Sequence, residues 1–189
     1  MGRAFETITE PLKAFIEAQH MFFVATAPSE GGRVNLSPKG YDSFRILDPN
    51  RVAYADITGS GAETIAHLAD NGRITFMFCA FEGKPDIVRL YGTGRAVLPN
   101  DAEFPALVDQ VGDQVGLRAV IVADIDRTSS SCGFAVPFMD FVEDRSRLSE
   151  YWGNKTDEDL SEYWRKKNST SIDGLPALAS SVDSLSQQG

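Results

Sequence analysis

The sequence predicts a mainly β domain with helices, an α+β barrel carrying a helical C-terminal extension, on three observations. Short apolar or alternating runs recur at hairpin-like spacing from Met21 to Ile125, divided by clusters of Gly, Pro, Asn and Asp. Helical periodicity is confined to a few segments. Past residue 128 the chain becomes irregular and rich in small and aromatic residues, then turns into two charge-rich amphipathic segments. The organisation expected is a barrel over 1–128, a helical extension over 129–179 and a flexible polar tail over 180–189.

Taken in order, EPLKAFIEAQ (Glu10 to Gln19) places Leu12, Phe15 and Ile16 at helical spacing, with Pro11 where a missing N–H does no harm. MFFVATA (Met21 to Ala27) reads as a buried strand, and Glu30-Gly31-Gly32 as the hairpin turn into RVNLSPKG. In that segment Arg33, Asn35, Ser37 and Lys39 share one face of an extended chain, and Pro38 marks an edge strand or bulge. SFRIL (Ser43 to Leu47) and RVAYAD (Arg51 to Asp56) are strands on either side of the turn Asp48-Pro49-Asn50. Ala62, Ile65, Leu68 and Ala69 then outline a helix ended by Asn71-Gly72, followed by RITFMFCAF, a strand apolar enough to be central.

The run from Asp86 to Leu98 has Val88, Leu90, Gly92, Gly94 and Ala96 on its apolar face, and two glycines there predict a strongly bent barrel strand. A short helix over Asp101 to Val111 and a last strand, RAVIVADI (Arg118 to Ile125), complete the barrel. EDRSRLSEYWGNK and DEDLSEYWRKKN predict two helices, with Trp152 and Trp164 able to pack them on the barrel, and IDGLPAL an ordered extended finish.

Composition excludes several classes of function. A net charge of -9 over 189 residues argues against nucleic acid and against an anionic membrane, both of which are held by clustered Lys and Arg. No apolar run is long enough to span a bilayer, and the N-terminus lacks a basic-then-apolar leader, so a cytoplasmic protein is expected. Cys79 and Cys132 form no C-x-x-C, and His20 and His67 cannot furnish a histidine-rich centre, so no metal site is expected. Demanding chemistry here calls for an organic cofactor.

The most pointed stretch is DITGSGAETIAHL, Asp56 to Leu68, a glycine turn opening a helix. Such a turn presents oriented N–H donors and a favourable dipole to a phosphate. It also has a purely structural explanation, because Ser60 and Glu63 have the spacing of a capping box. Lys39 alone reads as an edge charge that blunts pairing, His67 as a helix-surface residue, Cys79 as a small core residue and Cys132 as a packing residue.

Together, RVNLSPKG, YADITGSGAETIAHLADNGRITFMFCAF and RLYGTGRAV, in this order, resemble the pyridoxamine 5′-phosphate oxidase-related proteins, which bind flavin mononucleotide (FMN) on a split β-barrel. The resemblance covers Phe22 to Val97 and is collective, since no one element suffices. It implies an FMN-binding split β-barrel, an FMN-dependent oxidoreductase acting on a small molecule, and a homodimer with cofactor sites at the interface. It implies that Thr58, Gly59, Ser60 and Gly61 hold the phosphate with Lys39 supplying charge. Asn35 and Ser37 would then bond the ribityl chain or ring edge, with Tyr54, Asp56, Thr64 and Arg89 nearby. A non-catalytic flavin- or haem-binding carrier or sensor, and a deazaflavin-dependent reductase, remain alternatives. The turn lacks the Arg and Lys pair, and the C-terminus the Trp and Arg signature, of true pyridoxamine phosphate oxidases. That departure argues against oxidation of the B6 vitamer itself.

Overall fold

A computed structural model describes residues 2–178. The elements are β1 (Arg3–Phe5), α1 (Glu10–Glu17), β2 (Phe22–Thr26), β3 (Asn35–Lys39), β4 (Phe44–Asp48), β5 (Arg51–Ile57), α2 (Glu63–Asn71), β6 (Arg73–Cys79), β7 (Ile87–Val97), α3 (Phe104–Val111), β8 (Leu117–Ser131), α4 (Arg147–Gly153) and α5 (Asp157–Lys167). The strands form one antiparallel sheet in the order β3-β2-β6-β7-β8-β5-β4, with β1 added on β8.

Connectivity forces this sheet to curl. β3 and β4 are its opposite edges, yet only Gly40 to Ser43 joins them. That link reaches at most about 18 Å, whereas the strand spacings of a flat sheet would separate the two edges by about 29 Å. The edges therefore approach without pairing, giving a barrel split between β3 and β4. The link is tight enough that Tyr41 and Asp42, neither a glycine, adopt left-handed backbone angles (φ 61° and 50°).

The barrel interior holds Phe22, Val24, Tyr54, Phe76, Phe78, Leu90 and Ile121, closed off by Leu12 and Ile16 of α1 and Ile65 and Leu68 of α2. Outside it, Leu107 and Val111 of α3 pack on Ala53, Ala55, Val97, Val120 and Val122. The bend predicted in β7 has a physical cause at Gly92: a Cβ there would lie 2.0 Å from the Asp124 carbonyl oxygen, beside a bulge in the β7–β8 register. Gly72 ends α2 in the left-handed conformation (φ 73°), as its position after Asn71 predicts.

Several expectations are corrected. β8 continues through Ser131, past the expected strand end at Ile125, because its polar second half pairs with β7 on one side and β1 on the other. β1 itself is too short to leave a periodic signal. The Ser60/Glu63 capping box does not form: Ala62 is the N-cap of α2 and no side chain caps it. His67 is fully buried, and Cys132 is exposed. The expected tail at 180–189 lies outside the described residues. Among the described residues no helix is long and apolar enough to cross a membrane.

Candidate functional site

Register decides what β3 can offer. Asn35, Ser37 and Lys39 stand opposite Thr26, Val24 and Phe22, so they share the face that points into the barrel. Val34 and Leu36 point outward. The inward row is a continuous hydrogen-bonded ladder. The Ser37 hydroxyl donates to Asn35 Oδ1 (3.0 Å), and Asn35 Nδ2 donates to Thr64 Oγ1 (3.1 Å) and Thr26 Oγ1 (3.3 Å). Thr26 Oγ1 in turn lies 3.0 Å from His67 Nδ1. The other ring nitrogen of His67 is buried without a partner among the described residues, and burial lowers the basicity of the imidazole.

Lys39 spans the split. Its ammonium is 2.7 Å from Asp56 Oδ1 on β5, and Arg118 Nε of β8 is 2.8 Å from Asp56 Oδ2. Asp56 has no exposed surface. Burial alone would raise its pKa, but the charges of Lys39 and Arg118 and their hydrogen bonds outweigh it and hold the carboxyl at about 2. Tyr54 lies fully buried beside this group, with the Lys39 ammonium 5.4 Å from its ring centroid. Burial, then the Asp56 charge, pushes its phenol well above the ordinary range.

Above Asp56 sits the glycine turn, and three of its carbonyls are anchored by side chains. The Thr58 carbonyl accepts from Trp152 Nε1 (2.9 Å), the Gly59 carbonyl from Asn168 Nδ2 (3.1 Å) and the Gly61 carbonyl from Arg118 Nη1 (2.8 Å). The Thr58 hydroxyl accepts from Trp164 Nε1 (2.8 Å) and donates to the Gly116 carbonyl (2.7 Å). In a trans peptide the N–H points opposite the C=O. Anchoring these three carbonyls therefore turns the N–H groups of Gly59, Ser60 and Ala62 the other way, and no hydrogen bond among the described residues uses them.

A cleft of about 600 Å³ adjoins this turn, lined by Arg33, Val34, Asn35 and Leu36 from the β3 side, Ser60, Gly61 and Glu63 from the turn, and Lys167 with Thr170 to Ile172 from the C-terminal extension. The extension is pinned across it. Asp173 accepts from the Arg33 backbone N–H (2.7 Å) and pairs with its guanidinium, and the Ile172 N–H donates to Glu63 Oε1 (3.1 Å). Glu63 is thus committed to a segment more than a hundred residues away, which is why it does not cap α2.

Of the residues singled out from sequence, Asn35, Ser60 and Gly61 line the cleft, while Ser37 and Thr64 brace Asn35. Lys39, Tyr54 and Asp56 form the buried charge centre beneath the turn, and Thr58 and Gly59 tie it to the extension. Arg89 is not brought to the cleft; it donates to the Ser131 hydroxyl (3.1 Å) on the far stretch of β8. Arg118 and Asn168 were missed. An arginine opening the otherwise apolar RAVIVADI is the one signal that points to Arg118.

These residues are set within a recognisable lineage. Residues 8–132 match the family model described as pyridoxamine 5′-phosphate oxidase. The pyridoxamine 5′-phosphate oxidase family protein ustO of Aspergillus flavus is 42% identical over 197 residues, covering 94% of this chain and 78% of that one. Among solved structures, a HupZ variant from Group A Streptococcus superposes with a TM-score of 0.52 at 24% identity, over 66% of this chain and 99% of that one. A Lactobacillus delbrueckii protein provisionally assigned as a pyridoxamine 5′-phosphate oxidase gives a TM-score of 0.52 at 17% identity, over 66% and 94%. The two structures establish the shared split-barrel fold, and the matched model and the 42% identity establish more: this chain belongs to the pyridoxamine 5′-phosphate oxidase family.

Proposed function

We propose that this protein binds FMN in the cleft between β3 and the Gly59–Gly61 turn and is an FMN-dependent oxidoreductase acting on a small molecule. The observation that carries the proposal is the set of N–H groups at the turn, turned away from anchored carbonyls, beside a cleft that also presents Arg33, Asn35 and Lys167. The donor set fits a phosphate-bearing cofactor. Lys39 and Arg118 together face the single carboxylate of Asp56, which leaves one net positive charge beneath the turn. Asn35 is held in one orientation by Thr26, Thr64 and Ser37, so it is pre-organised rather than free to follow a ligand. Trp152 and Trp164 keep water from the back of the turn.

Bound flavin would supply hydride or electron exchange at its N5. The protein's own contribution in this reading is binding, orientation and shielding. We also read the protein as a cytoplasmic homodimer. Val34 and Leu36 lie exposed on the outer face of edge strand β3, and Phe134 and Phe138 are exposed beyond β8, apolar surface that a second copy could cover.

Purified protein tests the reading directly. It is expected to be yellow, to be bleached by dithionite and restored by oxygen, and to run in light scattering at twice the chain mass. Colourless protein that takes up no FMN would refute the flavin assignment. Flavin that is bound but accelerates no substrate's turnover would point to a carrier.

A further inference from the structure

Each cation around the cleft has a carboxylate partner, with one exception. Lys39 and Arg118 share the buried Asp56 carboxylate beneath the turn, while the Glu63 carboxylate lies against Gly61 and accepts from the Ile172 N–H. Asp173 balances Arg33. Lys167, the last residue of α5, lines the cleft and makes no ion pair among the described residues, whereas its neighbour Lys166 pairs with Glu162 one turn back. Lys167 is also held in place through the next residue. Asn168 has no exposed surface, accepts from Arg118 Nη1 (3.0 Å) and donates to the Gly59 carbonyl (3.1 Å). The end of α5 is thereby fastened to the glycine turn itself.

A phosphate monoester brings between one and two negative charges at neutral pH. The turn's N–H groups supply partial charge, and Lys39, Arg118 and Arg33 are each already bonded to a carboxylate. We propose that Lys167 is the cation that reads the terminal phosphate of the flavin, which makes the C-terminal extension part of the cofactor site of its own subunit. This rests on the flavin reading above. It is compatible with an exposed side chain, because the ammonium has to reach a ligand from the cleft wall.

The test is a comparison of FMN with riboflavin, which lacks the phosphate, by quenching of flavin fluorescence in titrations of the flavin-free full-length chain. Wild-type protein is expected to prefer FMN, and Lys167→Gln to weaken FMN at least about tenfold, the weight of one charge-assisted hydrogen bond, while leaving riboflavin unchanged. Lys167→Arg is expected to keep the preference. So is Lys166→Gln, which removes the same charge one residue away. Unchanged FMN affinity in Lys167→Gln would overturn the assignment, as would equal loss of both flavins, which would mark a structural role. Wild-type protein that binds both flavins equally overturns the Lys167 role alone. Protein that binds neither removes the flavin reading with it.

Discussion

Asp56 is the residue on which the closure of the barrel can be tested most sharply. Its carboxylate is fully buried, bonded by Lys39 from one edge of the split and by Arg118 from β8. Asp56→Asn keeps the volume but removes the charge, leaving two cations, one nearly as buried as Asp56, facing a neutral amide. Breaking a buried pair in this way costs roughly 3 to 5 kcal/mol. For a chain of this size that corresponds to a fall in Tm of about 6 to 20 °C. The pKa gives an independent magnitude: a carboxyl moved from 3.8 to about 2 stabilises the fold by about 2 kcal/mol once ionised. The sign follows from the depressed folded value. The contribution is fully present above the unfolded pKa near 4, and is lost as pH falls through 4 toward 2. Urea unfolding of wild type and Asp56→Asn at pH 7, 4.5, 3 and 2 measures both quantities. The gap between the two proteins should be wide and constant down to pH 4.5 and should close below it. A variant within about 0.5 kcal/mol of wild type at pH 7, the range of ordinary surface substitutions, would show that the triad does not hold the split. A gap independent of pH would show that the Asp56 charge is not its source.

Other substitutions probe neighbouring parts of the same design. Trp164→Phe removes the indole N–H that Thr58 accepts while keeping most of the packing, so stability should fall by about 1 kcal/mol, with FMN affinity weakened in the same titration. Gly92→Ala places a methyl group against the Asp124 backbone, which no side-chain rotation relieves. Loss of more than about 3 kcal/mol, or insoluble protein, is expected. Gly59→Ala meets no atom within 4 Å, so its Tm should stay within about 2 °C of wild type. His67 is buried and harder to protonate than in the unfolded chain. Stability should therefore decline as pH falls below about 6.5, and His67→Leu should flatten that part of the profile in denaturation midpoints between pH 7.5 and 5.

What could be read from the sequence was whatever a short-range period encodes. The alternation of Asn35, Ser37 and Lys39 fixed a common face, and β3 delivers it. What the alternation does not encode is where that face points, and it points into the barrel, toward Asp56 and Thr64, because β3 is drawn across the split by its short link to β4. His67 was misplaced for a related reason. Helical periodicity assumes one buried side, but α2 is buried at five successive residues, Thr64 to Leu68. Arg118 and Asn168 carry no local signal of their roles, since each meets the turn across roughly 50 residues or more of chain. Arg89 shows what resemblance adds beyond local pattern: the family likeness names it as a cofactor neighbour, while the register sets it on the outer face, with inward Val88 and Leu90 on either side.

The contrast between α2 and α5 explains why a stretch with the spacing of a capping box does not form one. At α5 the Thr156 hydroxyl accepts from the Asp159 N–H, and the Asp159 carboxylate accepts from the Thr156 N–H, so that helix start satisfies itself. At α2 the same arrangement is available to Ser60 and Glu63, and it is forgone. Glu63 is drawn off by the Ile172 N–H, while Arg118, Trp152 and Asn168 hold the carbonyls of the turn. A capped helix start has used its donors; an uncapped one at the edge of a cleft keeps them for a ligand. The C-terminal extension is what maintains that difference. Loosening it, by Asn168→Ala for instance, should therefore weaken binding of a phosphate-bearing ligand even where the barrel itself stays folded.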